Sequence, residues 1–102
     1  MALTALADPT RRKVFERLRD GRLPVARIAE GLPVSRPAVS QHLKVLKEAG
    51  LVREERDGTR RIYEIDPAGL GQLRRWLDQF WDEALEAFRL EAEKDTDTEE
   101  KR

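Results

Sequence analysis

No cysteine occurs among the 102 residues, which excludes a disulfide framework and thiol chemistry and agrees with a reducing compartment. No apolar run is long enough to cross a bilayer, and the opening MALTALADP has no basic segment followed by an apolar core. Neither membrane insertion nor secretion is therefore expected, and the default expectation is a cytoplasmic protein. There is no glycine-rich phosphate loop, no metal-ligand cluster and no nucleophile beside a base, so no catalytic residue and no cofactor is expected. Many carboxylates crowd the C-terminal part, but at that density they read as a solvated helix face. Internal repeats are missing as well. A chain of this length has room for one domain with a modest core, and self-association would help to bury the rest.

Net charge is also lacking, since 20 Lys and Arg balance 20 Asp and Glu. The distribution is uneven, however. Residues 11–61 carry 14 basic against 7 acidic side chains, and the remainder carry 6 against 13. A basic segment joined to an acidic remainder suits a nucleic-acid binder whose non-specific affinity is restrained by its own acidic parts.

Inside the basic segment, VSRPAVSQHLKVLKEAGL (residues 34–51) predicts a helix with Ser35 as N-cap, Pro37 in the first turn and Gly50 as the stop. With about 100° per residue, Ala38, Val39, Leu43, Val45, Leu46 and Ala49 share an apolar arc, and Arg36, Pro37, Ser40, Gln41, Lys44, Lys47 and Glu48 lie opposite. That polar arc is rich in donors suited to phosphates and base edges of a major groove. Upstream, a short helix is expected from Val25 to Glu30, broken by Gly31, Leu32 and Pro33; the pair makes a helix-turn-helix. Downstream, Val52–Arg56 and Arg60–Ile65 read as strands around an Asp57-Gly58 turn, a wing whose Arg56, Arg60 and Arg61 can touch DNA backbone. Alternation along the second strand predicts one packed face and one wet face.

Two flanking helices complete the plan. Asp8 caps a helix with Pro9 at its start and Val14, Phe15 and Leu18 inward, running through Arg19 to Asp20-Gly21; residues 2–7 can add a short turn before it. Asp66-Pro67 begins a last helix expected to reach about Lys94. Leu70, Leu73, Leu77, Phe80, Ala84 and Phe88 repeat at helical spacing along it, widened by Trp76, Trp81 and Leu85. That is more aromatic surface than so small a domain covers, so Leu3, Leu6, Trp76, Phe80, Trp81, Ala84, Leu85 and Phe88 are expected at a homodimer interface. Leu70, Leu73 and Leu77 are assigned to the domain's own core, and a ligand cavity between the terminal helices ranks behind both. The expected fold is mainly α with a small β-hairpin wing: one winged helix-turn-helix domain over residues 1–93, dimerising through its terminal helices, then a disordered polar tail over residues 94–102.

Three segments, LADPTRRKVFERL, SRPAVSQHLKVLKEAGLV and RDGTRRIYEIDP, in that order, resemble the ArsR-type winged helix-turn-helix repressors of bacteria and archaea. The resemblance spans Leu6 to about Phe88. It implies a homodimer that binds double-stranded operator DNA near its own or neighbouring promoters and lets go when an effector arrives. Arsenic and cadmium sensors of that family carry Cys-x-Cys on the helix before the recognition helix, where this chain has Pro24 and Ala26. Zinc sensors use Asp and His on the terminal helix, where Asp78, Asp82, Glu83 and Glu86 have no His nearby. The chain thus resembles a branch without the metal motif, and its effector, if it has one, is an unidentified small molecule or protein. The single histidine, His42, falls near the middle of the apolar arc and is expected to be packed and hydrogen-bonded, not a ligand.

Within the DNA-facing set, Arg36, Ser40 and Gln41 are the candidates for base contact. Lys44, Lys47, Arg56, Arg60 and Arg61 are assigned to phosphate, with Ser35 and Pro37 completing the set. The rival function is a winged helix used for protein assembly without operator binding.

Overall fold

A computed structural model of the protein describes residues 2–100, with side chains through Lys94. The elements are α1 (Ala2–Ala5), α2 (Pro9–Glu16), β1 (Leu23–Pro24), α3 (Val25–Ala29), α4 (Arg36–Glu48), β2 (Val52–Asp57), β3 (Arg60–Ile65) and α5 (Pro67–Glu100).

The starts of α2 and α4 follow from their caps. Asp8 Oδ1 accepts the Thr10 and Arg11 backbone N–H groups at 2.9 and 3.0 Å, and Ser35 Oγ accepts the Ala38 N–H at 3.3 Å. The end of α2 comes at Glu16, earlier than the expected Arg19, because Leu18 and Arg19 donate to carbonyls three residues back and the chain tightens into turns. Leu18 is nonetheless buried. Gly50, with φ +79°, closes α4: its N–H donates to Lys47 and that of Leu51 to Leu46, both at 3.0 Å. This is the Schellman arrangement, and it needs a residue tolerant of the left-handed region.

Val14 and Leu18, Ile28 of α3, Val39, Leu43 and Leu46 of α4, and Leu51 just beyond it make the centre of the core, with Ala5, Val52 and Tyr63 around them. All the residues expected on the apolar arc of α4 are buried or half-buried.

The wing has three strands in the order β1-β3-β2, all antiparallel. The two-residue strand β1 was not expected; it pairs Leu23 with Tyr63 and Pro24 with Ile62. It makes β3 the central strand, so Ile62, between Pro24 and Glu55, is buried along with Tyr63. The simple wet face expected for β3 is corrected accordingly. The hairpin turn also shifts by one residue. Asp57 pairs with Arg60, leaving Gly58-Thr59 as the loop, and Gly58 alone has positive φ, +65°. Glycine at the first loop position with an ordinary second residue is the II′ pattern.

Asp66 links the wing to α5, donating its N–H to Leu51 O at 2.9 Å and accepting the Ala68 N–H at 3.0 Å. Just beyond, Gly69 lies so close to the α4 cap that a β-carbon there would stand 1.7 Å from the Gly50 carbonyl oxygen. After this contact α5 leaves the domain. Leu73 packs on the core, but Leu70 and Leu77, assigned to the core from sequence, are exposed. The helix runs on to Glu100, past the end expected at Lys94, because neither Gly nor Pro follows Gly71 to stop it. Of the polar tail, expected to be disordered, residues 101–102 lie outside the described residues.

Candidate nucleic-acid interface

Helix α4 presents Arg36, Pro37, Ser40, Gln41, Lys44 and Lys47 to solvent on one side, while its opposite side is locked into the core. The burial of Val39, Leu43 and Leu46 therefore orients the polar row. Ser35 is exposed and tied to the cap as acceptor, leaving its hydroxyl proton available.

The wing folds back beside this row. One open cleft of about 570 Å³ is lined by Val25, Arg36, Pro37, Ser40, Thr59, Arg60 and Arg61. A second, of about 400 Å³, is lined by Ser40, Gln41, Lys44, Lys47, Glu54, Arg61 and Tyr63. Ser40 and Arg61 belong to both, so the clefts adjoin along α4. Of the sequence-predicted cations, Arg56 lines neither; it sits opposite Arg61 in the strand register, on the same face of the hairpin.

Four residues of these clefts were not anticipated: Val25, Thr59, Tyr63 and Glu54. Glu54 matters most, since its Oε2 accepts the Tyr63 hydroxyl at 3.0 Å and lies 3.4 Å from Lys47 Nζ, while its Oε1 is 3.9 Å from Arg61 Nε. Burial raises the Glu54 pKa, but the Tyr63 hydrogen bond, Lys47 and Arg61 outweigh it and hold the carboxyl below its usual value. Burial and the same bond push the Tyr63 phenol up. The period of two from Val52 through Glu54 to Arg56 placed Glu54 on the inward strand face. Its negative charge sets it outside the cationic pattern expected of a DNA-facing surface.

His42 is half-buried, as its arc position implied, yet among the described residues its side chain makes no hydrogen bond. The expected hydrogen bond is thus not found; the ring lies instead within electrostatic reach of Asp8. The Arg11 backbone N–H holds the Asp8 carboxyl below its usual value, with partial burial opposing it and the Thr10 backbone N–H and the His42 and Arg11 charges assisting.

A metal does not fit the positions used by the family's sensors. Pro24 is in β1 and Ala26 in α3, neither offering a donor atom, and no cluster of three His, Cys, Asp or Glu suited to a metal occurs among the described residues. No described helix is long and apolar enough to cross a membrane.

The second surface of note is on the terminal helices. Trp76, Phe80, Trp81, Ala84, Leu85 and Phe88 are all exposed, as are Leu3 and, unanticipated, Leu90. Trp76 and Phe80 stack with ring centroids 5.7 Å apart. Leu6, by contrast, packs partly on the core. Between α1 and α5 a groove of about 280 Å³ is lined by Ala2, Leu3, Ala49, Gly69, Gln72, Leu73 and Trp76.

Known proteins share this architecture. A family of helix-turn-helix domains matches residues 6–55. The HTH-type transcriptional regulator Rv2034 of Mycobacterium tuberculosis is 59% identical over 87 residues, covering 85% of this chain and 81% of that protein. The transcriptional repressor SdpR of Bacillus subtilis is 34% identical over 76 residues, 74% of this chain and 84% of the repressor. A solved structure of a possible transcriptional regulator for arsenical resistance aligns with a TM-score of 0.73 at 49% identity, over 78% of this chain and 83% of that one. The homodimeric winged helix-turn-helix DNA-binding domain of Mb0332 from Mycobacterium bovis, a possible ArsR-family regulator, aligns with a TM-score of 0.64 at 32% identity, over 83% of this chain and 79% of that one. The chain belongs to the ArsR family of winged helix-turn-helix transcription regulators, a family of DNA-binding proteins and not of enzymes.

Proposed function

We propose that the chain is a homodimeric repressor that lays α4 of each copy into successive major grooves of an inverted-repeat operator, with half-sites about 34 Å apart. The observation that carries this reading is the exposed row Arg36, Ser40, Gln41 and Lys44, flanked across two adjoining clefts by Arg60 and Arg61 of the wing. Arg36, Ser40 and Gln41 read base edges, with Gln41 matched to adenine and Arg36 to guanine. Lys44, Lys47, Arg56, Arg60 and Arg61 hold phosphate, and Ser35 and Pro37 set the angle at which α4 enters.

The two copies meet through α1 and α5. Leu3, Trp76, Phe80, Trp81, Ala84, Leu85 and Phe88 are apolar and exposed together in the single chain, an arrangement that burial against a second copy relieves. Leu6 contributes from the edge of the core. Pro24 and Ala26 supply no metal donors, so release of DNA is assigned to an organic effector or a protein partner, acting in the cytoplasm on the nucleoid-bound protein.

The test is binding of the purified protein to a duplex of its own upstream region and to random duplex, across a salt series. Selective, salt-sensitive binding of two chains per site is expected. Failure to bind any duplex at low salt refutes the reading and leaves the winged helix as a protein-assembly module.

A further inference from the structure

Six cations belong to the DNA-facing surface, and they divide into two groups. Arg36, Lys44, Arg56 and Arg60 have no carboxylate partner among the described residues, whereas Lys47 and Arg61 share one, Glu54. Lys47 comes from the recognition helix and Arg61 from the wing, so a single carboxylate spans the cleft between the two DNA-reading elements. It cannot swing away freely. The Glu54 side chain is only 17% exposed, and the hydroxyl of the buried Tyr63 fixes it at 3.0 Å.

Resting on the DNA-binding reading above, we propose that Glu54 is a charge brake within the reading face, withholding Lys47 and Arg61 from phosphate so that tight binding depends on base contacts. A phosphate approaching either cation must compete with a carboxylate already in place, and meets that carboxylate's repulsion as well. On random DNA nothing compensates. On the operator, contacts from Arg36, Ser40 and Gln41 seat the duplex deeply enough for phosphate to displace it. Glu54 is thus a specificity-determining position although it is an acid in a surface that binds a polyanion.

Counterion release gives the size of the effect. Each additional phosphate contact steepens the log–log salt dependence by about 0.9, so freeing both cations adds up to about 1.8. Between 50 and 200 mM salt, this changes the variant-to-wild-type affinity ratio roughly tenfold.

Glu54→Gln keeps the size and a hydrogen-bond acceptor for Tyr63 while removing the charge. The expected result is a steeper salt slope and tighter binding on random duplex, with a smaller gain on the protein's own upstream duplex, so that the specificity ratio narrows. An unchanged slope on random duplex, from a wild-type protein that binds its upstream duplex selectively, overturns the brake and leaves the DNA-binding reading standing. A wild-type protein that binds no duplex overturns both. Lys47→Gln gives an independent reading in the wild-type background. There it is expected to lower the random-duplex slope by less than half the roughly 0.9 lost in Lys44→Gln; an equal loss overturns the proposal without recourse to Glu54→Gln.

Discussion

Gly69→Ala and Gly71→Ala place the same methyl group two residues apart on α5 and should move stability in opposite directions. At position 69 the new β-carbon would stand 1.7 Å from the Gly50 carbonyl oxygen and 2.6 Å from its carbon, where ordinary contact begins near 3.4 Å. Both neighbours are backbone atoms within the Schellman cap of α4, so neither can rotate away. The helix must instead retreat by about the missing distance, straining the 2.9 Å bond from the Asp66 N–H to Leu51 O. Overpacking of this kind costs about 1–3 kcal/mol, and weakening a backbone hydrogen bond adds about 1 kcal/mol. The alanine returns about 0.5–1 kcal/mol in helix propensity. The net loss is therefore about 2 kcal/mol, or roughly 8–16 °C in Tm for a domain of this size. At position 71 the nearest atom is the Arg75 guanidinium at 3.7 Å. Only the propensity gain remains there, and Tm should rise by a few degrees. Thermal unfolding followed by circular dichroism, with all three proteins at one concentration because assembly couples to stability, measures both. A Gly69→Ala protein melting at or above the wild type would refute the steric argument, since the helix would then have room that the geometry denies it.

On the DNA side, Gln41→Ala should flatten the preference for the upstream duplex, whereas Arg60→Ala should weaken every duplex alike and reduce the salt slope by about 0.9. Equal effects of both changes on specific and random DNA would remove Gln41 from base reading. For the dimer, Phe80→Glu inserts a charge where an apolar ring is 56% exposed in the single chain. A loss of at least about 2 kcal/mol, roughly thirtyfold in the dimer Kd, is expected, and sedimentation that shows an unchanged dimer would relocate the interface. Asp8→Asn keeps a capping acceptor but removes the charge that the Arg11 N–H favours. The folded pKa of Asp8 is depressed, so its ionised form stabilises fully above the unfolded carboxylate value near 3.9 and loses that contribution as pH falls through the lower folded value. The Tm advantage of wild type over Asp8→Asn should accordingly shrink as pH falls below about 4; an advantage that grows on acidification there would contradict it.

Much of the molecule was determined locally and was therefore readable. Asp8-Pro9, Ser35 and Gly50 act on backbone groups within a few residues, so α2 and α4 began, and α4 ended, where their caps dictated. The period of Val39, Leu43 and Leu46 fixed the inward side of α4 and with it the outward row of Arg36, Ser40, Gln41 and Lys44. Absences were equally decisive, because no fold can supply cysteine thiolates to a chain that has none. What escaped the sequence depended on partners distant along the chain. Leu23-Pro24 became a strand only because β3 offered it an edge, and that pairing buried Ile62. Leu70 and Leu77 carry the same helical period as Leu73, but α5 diverges from the domain after its close approach at Gly50, leaving only Leu73 against the core. Glu54 looked like one more charge on a wing strand until the return of β3 brought Tyr63 and Arg61 alongside it and the packing of α4 brought Lys47. Caps and periodicity are short-range properties written residue by residue, whereas the close approach of two backbones or the sharing of one carboxylate exists only once separate elements have packed together.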